Sequence, residues 1–284
     1  MSAASEEVGR TVDVGGVATN YHDRGQGPPV LLVHGSGPGV SAWANWRTVL
    51  PRLSRRHRVL APDVVGFGYT ERPPGVAYGP ETWLRHLIEF LDVLDVPKVS
   101  VVGNSFGGAL ALRLAAAAPE RVDRLVLMGS AGVRFQLTPG LDAVWGFEPS
   151  LEAMRELLRV FTYDTSKIHD DLAGLRLAAA TRTGVHEAYS AMFPAPRQNG
   201  VNALALPDKV IASLKHETLI FHGRDDRVIP LSASLWLNEL LDNSQLHVFA
   251  QCGHWVQIEQ NARFVAMLED FLSPAAAEAS RAPR

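Results

Sequence analysis

The sequence predicts an α/β fold: a mostly parallel sheet flanked by helices on both faces, with an inserted helical cap. Three observations carry this. Short β-branched runs alternate with amphipathic stretches over residues 30–128 and again over 217–249, the pattern of strand and crossover helix in a parallel sheet. One junction, at 99–118, passes from a β-branched run to an alanine- and leucine-rich run through Gly103-Asn104-Ser105-Phe106-Gly107. Between 135 and 214 the strand pattern is missing and helical stretches replace it.

Taken in order, residues 1–9 read as a loose leader, and Gly15-Gly16 joins two β runs, 11–14 and 17–22, as a two-residue hairpin connection. A Gly/Pro turn at 25–29 precedes a short buried strand at 30–33. Next come His34-Gly35-Ser36-Gly37-Pro38-Gly39, whose glycines imply a backbone approaching something closely, and a tryptophan-rich segment, 43–53, with helical spacing. Residues 58–63 form a strand, 65–74 a loop, and 80–94 an amphipathic helix with Trp83, Leu87, Leu91 and Leu94 on one face.

The strand at 99–102 then enters the serine-centred turn, the helix after it stops at Pro119, and 121–128 is the next strand. Helical stretches at 151–161, 167–181 and 185–193, punctuated by proline and aromatic residues, make 135–214 a cap over the site rather than an independent domain. The core thus spans 1–134 and resumes over 215–273. A strand at 217–222, an acidic turn, a helix at 232–241, a last strand at 245–249 and a final helix at 261–272 complete it. Residues 274–284 read as a frayed tail.

Composition narrows the function classes. The 284 residues are 46% hydrophobic and 20% charged, enough to build a substantial core. A net charge of −3 offers no electrostatic reason to bind nucleic acid or an anionic membrane. Cys252 is the only cysteine, which excludes an intrachain disulfide. No apolar run approaches the roughly 20 residues that span a bilayer, and the N-terminus lacks a signal-peptide pattern, so a soluble cytoplasmic protein is expected. Neither His-Glu-x-x-His nor Cys-x-x-Cys spacing occurs, so no metal is expected. The glycine loop at 34–39 has neither the Walker lysine ending nor the dinucleotide spacing, which disfavours a phosphate cradle.

Gly103-Asn104-Ser105-Phe106-Gly107 fits Gly-x-Ser-x-Gly, and strand before with helix after is the context that motif requires. Such a turn lifts the serine above the sheet edge and sets it at a helix N-terminus, where the next N–H faces a developing oxyanion. A serine hydroxyl needs a neighbouring base, imidazole titrates in the right range, and a carboxylate fixes the imidazole tautomer. His254, in the loop after the last strand, and Asp225 or Asp226, after the strand before it, supply both. Asp63 precedes the serine and reads as structural. The N–H of Ser36, in the loop after the first buried strand, is the natural second oxyanion donor beside that of Phe106.

The order Ser105, acid, His254 resembles that of α/β-hydrolases, whose Gly-x-x-Asp with proline four residues later selects Asp226 through Gly223 and Pro230. The resemblance goes further. His34 to Gly39, Ala42-Trp43-Ala44-Asn45-Trp46-Arg47, the run 61–68, Gly103 to Gly108 and Cys252-Gly253-His254-Trp255 together look like a meta-cleavage product hydrolase, over about residues 9–272. That resemblance implies hydrolysis of a C–C bond in 2-hydroxy-6-oxohexa-2,4-dienoates, ring-fission products of catechols, without a cofactor. It also implies a small-molecule dienoate as the only ligand and self-assembly as a homo-oligomer.

By spacing alone Arg176 reads as a solvated helix arginine. The resemblance implies instead that it contacts the substrate carboxylate and assists dienol-to-keto tautomerisation, a task suited to a bidentate permanent cation. It further implies that Gly37, Asn45, Asn104 and Trp255 line the same polar end. By their places in the cap and after the acid turn, Trp145, Val228 and Ile229 are expected to border the acyl side, where the bulky indole favours hydrogen or small alkyl on C6. An esterase or lactonase of the same fold, and a non-catalytic ligand-binding relative, are the competing expectations.

Overall fold

The computed structural model describes residues 4–273; the tail expected at 274–284 lies outside them. Eight strands form one sheet: β1 (Arg10–Val14), β2 (Val17–Arg24), β3 (Pro29–Val33), β4 (Arg58–Pro62), β5 (Val99–Asn104), β6 (Val122–Met128), β7 (Glu217–Gly223) and β8 (Ser244–Phe249). Their order is β1-β2-β4-β3-β5-β6-β7-β8. The hairpin strand β2 runs antiparallel to β1 and β4, and every other pairing is parallel.

Strand alternation divides the core between the two faces of the sheet. Leu31, Val33, Val101, Leu125 and Leu127 join one apolar cluster, while their neighbours Val30, Leu32, Val102, Val126 and Met128 join the other. β5 is buried along its whole length, as a central parallel strand must be when helices cover both faces.

The described helices, in chain order, are α1 (Ala4–Glu7), α2 (Ala42–Trp46), α3 (Leu50–Leu53), α4 (Pro80–Val93), α5 (Phe106–Ala117), α6 (Pro139–Trp145), α7 (Leu151–Phe161), α8 (Asp170–Ala180), α9 (Val185–Met192), α10 (Gln198–Leu204), α11 (Asp208–Ala212), α12 (Leu231–Leu240), α13 (Val256–Glu259) and α14 (Asn261–Phe271). Six of these, α6–α11, lie between β6 and β7. The first four pack in succession, whereas α10 and α11 return to α5 of the core.

Three local expectations are corrected. The 43–53 segment is two short helices: Ser41 Oγ caps α2 by accepting the Ala44 N–H at 3.1 Å, and Pro51 sits in the first turn of α3, where no N–H is needed. The 167–181 stretch becomes helical at Asp170, after a 3₁₀ turn at Thr165–Lys167. Residues 4–9 are not a loose leader. Asn20 holds the Glu7 carbonyl (3.3 Å) and the Gly9 N–H (2.8 Å), and the Tyr69 hydroxyl donates to Glu7 (3.1 Å).

Candidate active site

The chain turns sharply from β5 into α5 at Ser105, whose φ of 55° and ψ of −114° are strained for a residue with a Cβ. The turn closes because its flanking residues carry no side chain. A Cβ on Gly103 would strike the backbone of Gly107, and one on Gly107 would strike the Val33 carbonyl of the adjacent strand. The Ser105 N–H donates to the Met128 carbonyl at 2.9 Å, tying the turn to β6.

Asp226 leaves the end of β7 in a turn that occupies both its carboxylate oxygens. Oδ1 accepts the N–H groups of Val228 (2.7 Å) and Ile229 (3.0 Å), and Oδ2 lies 2.7 Å from His254 Nδ1. A carboxylate so held makes Nδ1 the protonated nitrogen and leaves Nε2 as the acceptor. His222 lies behind it, with Nε2 3.6 Å from Asp226 Oδ2 and 3.1 Å from the Ile229 carbonyl, and Nδ1 2.7 Å from Ser234 Oγ. Asp225 instead takes the Cys252 N–H at 3.4 Å, outside this constellation.

The loop after β3 is built around a neutral histidine. His34 Nε2 accepts the Val64 N–H at 3.0 Å, so Nδ1 must carry the proton it shares with the Gly35 carbonyl at 2.7 Å. Burial pushes His34 down to about 4, only partly offset by that carbonyl, which keeps the ring neutral at pH 7. Because the Gly35–Ser36 peptide is planar, fixing the Gly35 carbonyl also fixes the Ser36 N–H. Among the described residues neither the Ser36 N–H nor the Phe106 N–H has an acceptor, the second because it opens α5.

Ser105, His254, Ser36, Gly37, Asn45, Asn104, Arg176, Trp255 and Val228 all line one cavity of about 460 Å³. Leu141, Val144, Met154, Leu158 and Phe161 of the cap give it an apolar wall. Phe161 also joins cap to loop: its carbonyl accepts the His254 N–H at 2.8 Å, and its ring stacks on Trp255 at 4.6 Å.

Asn45 Oδ1 accepts the Gly35 N–H at 3.2 Å, Asn104 Nδ2 donates to the Met128 carbonyl at 3.3 Å, and the Asn45 Nδ2 group is buried without a partner. Arg176 is half-buried rather than solvated. It donates to the Pro38 carbonyl at 3.3 Å and has no carboxylate partner among the described residues. Burial lowers its proton affinity and the nearby cations Arg47 and Arg182 add to this, while Glu7 opposes it. A cation so placed is poised to receive an anion.

Two expected positions fall elsewhere. Trp145 does not line the cavity: its indole stacks on Phe193 at 4.5 Å with 5° between the planes, and Nε1–H donates to Ser36 Oγ at 3.0 Å. Ile229 is buried behind the acid, and its contribution is the N–H given to Asp226. Asp63, fully buried, accepts from Ala42 N, Asn20 Nδ2 and Tyr69 N, and burial raises it to about 6.

Residues the sequence reading passed over include Gln257, buried on the cavity wall, and Glu259. One Glu259 oxygen takes the Tyr163 and Asp164 N–H groups and the other the Gly253 N–H at 2.7 Å, stapling the cap to the His254 loop. No local signal marks either; both lie in a four-residue helix too short to show periodicity. No group of residues suited to a metal ion occurs among the described residues, and no described helix is long and apolar enough to cross a membrane.

Comparison with known proteins identifies the family. Residues 28–260 match the family model described as α/β hydrolase fold. A 2-hydroxy-6-oxo-2,4-heptadienoate hydrolase from Pseudomonas putida is 60% identical over 273 residues, covering 96% of this chain and 99% of that protein. A 2-hydroxymuconate semialdehyde hydrolase from a Pseudomonas species is 54% identical over 275 residues, with 97% of each chain covered. Among solved structures, a serine-to-alanine variant of the meta-cleavage product hydrolase CumD from Pseudomonas fluorescens, complexed with acetates, superimposes with a TM-score of 0.94. It is 54% identical, with 95% of this chain and 99% of that one covered. The chain therefore belongs to the α/β-hydrolase family and, within it, to the meta-cleavage product hydrolases, serine-dependent enzymes that cleave carbon–carbon bonds.

Proposed function

We propose that this chain hydrolyses the C5–C6 bond of 2-hydroxy-6-oxohexa-2,4-dienoates bearing hydrogen or a small alkyl group on C6, releasing 2-hydroxypenta-2,4-dienoate and a carboxylic acid. The observation that carries the reading is that Ser105, His254 and the carboxylate-free guanidinium of Arg176 share one cavity. An esterase needs the first two; only a substrate with its own anionic group gives Arg176 a purpose. The relatives named for C6-hydrogen and C6-methyl substrates are 54% and 60% identical, against 34% for one named for the 6-phenyl substrate.

The substrate carboxylate binds Arg176, with Asn45, Asn104, Gly37 and Trp255 around the polar end. Protonation at C5 converts the dienol to the keto form, so the carbon leaving group departs as a stabilised enol. His254, its tautomer fixed by Asp226, takes the Ser105 proton as Oγ attacks C6, and the Ser36 and Phe106 N–H groups hold the oxyanion. The C5–C6 bond then breaks, its electron pair passing into the dienolate, which takes the His254 proton on its C2 oxygen and leaves as 2-hydroxypenta-2,4-dienoate; the acyl-serine and a neutral His254 remain. Water, activated by His254, adds its hydroxide to C6 and frees the acid. Val228 borders the acyl group.

The test is product analysis with 2-hydroxy-6-oxohepta-2,4-dienoate. Equimolar 2-hydroxypenta-2,4-dienoate and acetate are expected from the wild type, and ketonisation without acetate from Ser105→Ala. Absence of acetate from the wild type overturns the proposal; unimpaired acetate release by Ser105→Ala overturns the acyl-serine route in favour of direct water attack. Family resemblance alone supports a cytoplasmic homo-oligomer, which light scattering and fractionation would check.

A further inference from the structure

We infer that three cap aromatics, Trp145, Tyr189 and Phe193, are positioning residues for the oxyanion donors, so the donors are in place only when the cap is seated. The inference rests on the assignment of the Ser36 and Phe106 N–H groups proposed above.

Ser36 is clamped by the cap at two atoms. Trp145 Nε1–H donates to its hydroxyl oxygen at 3.0 Å. The Tyr189 hydroxyl lies 2.8 Å from the Ser36 carbonyl oxygen and 2.8 Å from that of Val144, so its proton bridges the oxyanion loop to the end of α6. Tyr189 is buried, and its ionisation is pushed well above the usual phenol range by burial, which preserves it as a donor. His34 fixes the peptide before Ser36 and the cap fixes the side chain and the peptide after it. The N–H between these anchors has little freedom left.

The second donor is joined to the same cluster. The Phe106 ring packs edge-to-face on Phe193 at 6.5 Å and on Trp83 at 4.7 Å. Phe193 in turn stacks on Trp145 and packs at 64° against Tyr189, 5.4 Å between ring centres. Phe193 therefore touches the side chain of one donor residue and both clamps of the other. All three cap aromatics are buried, and neither Trp145 nor Tyr189 lines the substrate cavity. Substrate binding and ketonisation depend on the polar end and leave this cluster untouched; attack at C6 depends on it.

The test uses Trp145→Phe, which keeps a ring on Phe193 but removes the N–H, and Tyr189→Phe, which removes only the hydroxyl. Stopped-flow absorbance with 2-hydroxy-6-oxohepta-2,4-dienoate reads ketonisation and cleavage separately, and p-nitrophenyl acetate reads acyl transfer without ketonisation. Loss of a whole oxyanion donor costs about 10²–10³-fold, so displacement of one is expected to slow cleavage and ester hydrolysis about tenfold in each variant. Ketonisation and KM should stay within about twofold. On a Ser36→Ala background, Trp145→Phe should add nothing, because the hydroxyl it grips is gone.

Equal slowing of both phases, wild-type cleavage in both variants with the fold intact by near-ultraviolet circular dichroism, or additivity on the Ser36→Ala background would each overturn the inference. If the wild type leaves the dienoate intact, the substrate proposal fails instead, and the ester readout still decides the role of the clamp.

Discussion

Replacing Asp226 by asparagine separates geometry from charge at the base. The turn after β7 offers two N–H donors, from Val228 at 2.7 Å and Ile229 at 3.0 Å, to one side-chain oxygen. An asparagine there keeps its oxygen on those donors and must direct its NH₂ group at His254 Nδ1, now 2.7 Å from a carboxylate oxygen. Nδ1 becomes the acceptor, the ring proton moves to Nε2, and the nitrogen facing the cavity is unable to take a proton from Ser105. In a serine triad the wrong tautomer costs about 10⁴ in kcat, roughly 5.5 kcal/mol of transition-state stabilisation. Because both backbone bonds survive, the melting temperature should move little. Stopped-flow decay of the C6-methyl dienoate measures the effect: ketonisation persists and cleavage drops about 10⁴-fold. A loss below about tenfold, with the variant folded, would mean that Asp226 does not set the His254 tautomer.

Other perturbations reach different links. Arg176→Gln should lower kcat/KM for the dienoate about 10²-fold, some 2.7 kcal/mol, by removing the anion's charge-assisted partner, while p-nitrophenyl acetate turnover stays within about twofold. Gly107→Ala places a methyl against the Val33 carbonyl, backbone on backbone, and should cost about 1–3 kcal/mol or more in urea unfolding. Unfolding free energy should also rise with pH between about 4 and 6.5. His34 and His86 sit near 4 in the folded chain against an ordinary 6.5, so the unfolded chain binds more protons in that window. Asp63, raised to about 6 from 3.8, acts in the opposite sense. These two histidines outweigh the one carboxyl by roughly 4 kcal/mol on acidification, and His22, His57 and His222, also lowered by burial, add to the loss; denaturant titrations at pH 7 and 4 would reveal it.

Much of this molecule was legible because its signals are local. A buried parallel strand shows as a short, mostly apolar run, so 30–33, 99–102 and 125–128 in β3, β5 and β6 stand out, and the turn between β5 and α5 needs glycines where a Cβ would collide. Distance from strand ends marks His254 but leaves Asp225 and Asp226 open; the α/β-hydrolase spacing through Gly223 and Pro230 selects Asp226. What escaped depends on contacts between distant segments. Trp145 reads as a pocket wall by its place in the cap, yet its N–H has a partner in Ser36, 109 residues away in sequence. Arg176 shows no helical pattern distinguishing it from a surface arginine; only the folded cap brings it to Pro38 and the cavity. Residues 4–9 carry no amphipathic stripe, and are held by one asparagine and one tyrosine. The 43–53 segment has helical spacing throughout, but α2 stops at Trp46 and Pro51 sits in the first turn of a separate helix, α3.

The most direct measurement is stopped-flow absorbance of the wild type with the C6-hydrogen, C6-methyl and C6-phenyl dienoates, with product acids quantified in parallel. Fast loss of the dienolate band with stoichiometric acid, and a lower kcat/KM for phenyl than for hydrogen or methyl, is the expected result. Persistence of all three dienolates while p-nitrophenyl acetate is consumed would contradict it: Ser105, Asp226 and His254 would remain an acyl-transfer centre, and the cavity's free guanidinium would have no substrate carboxylate to hold.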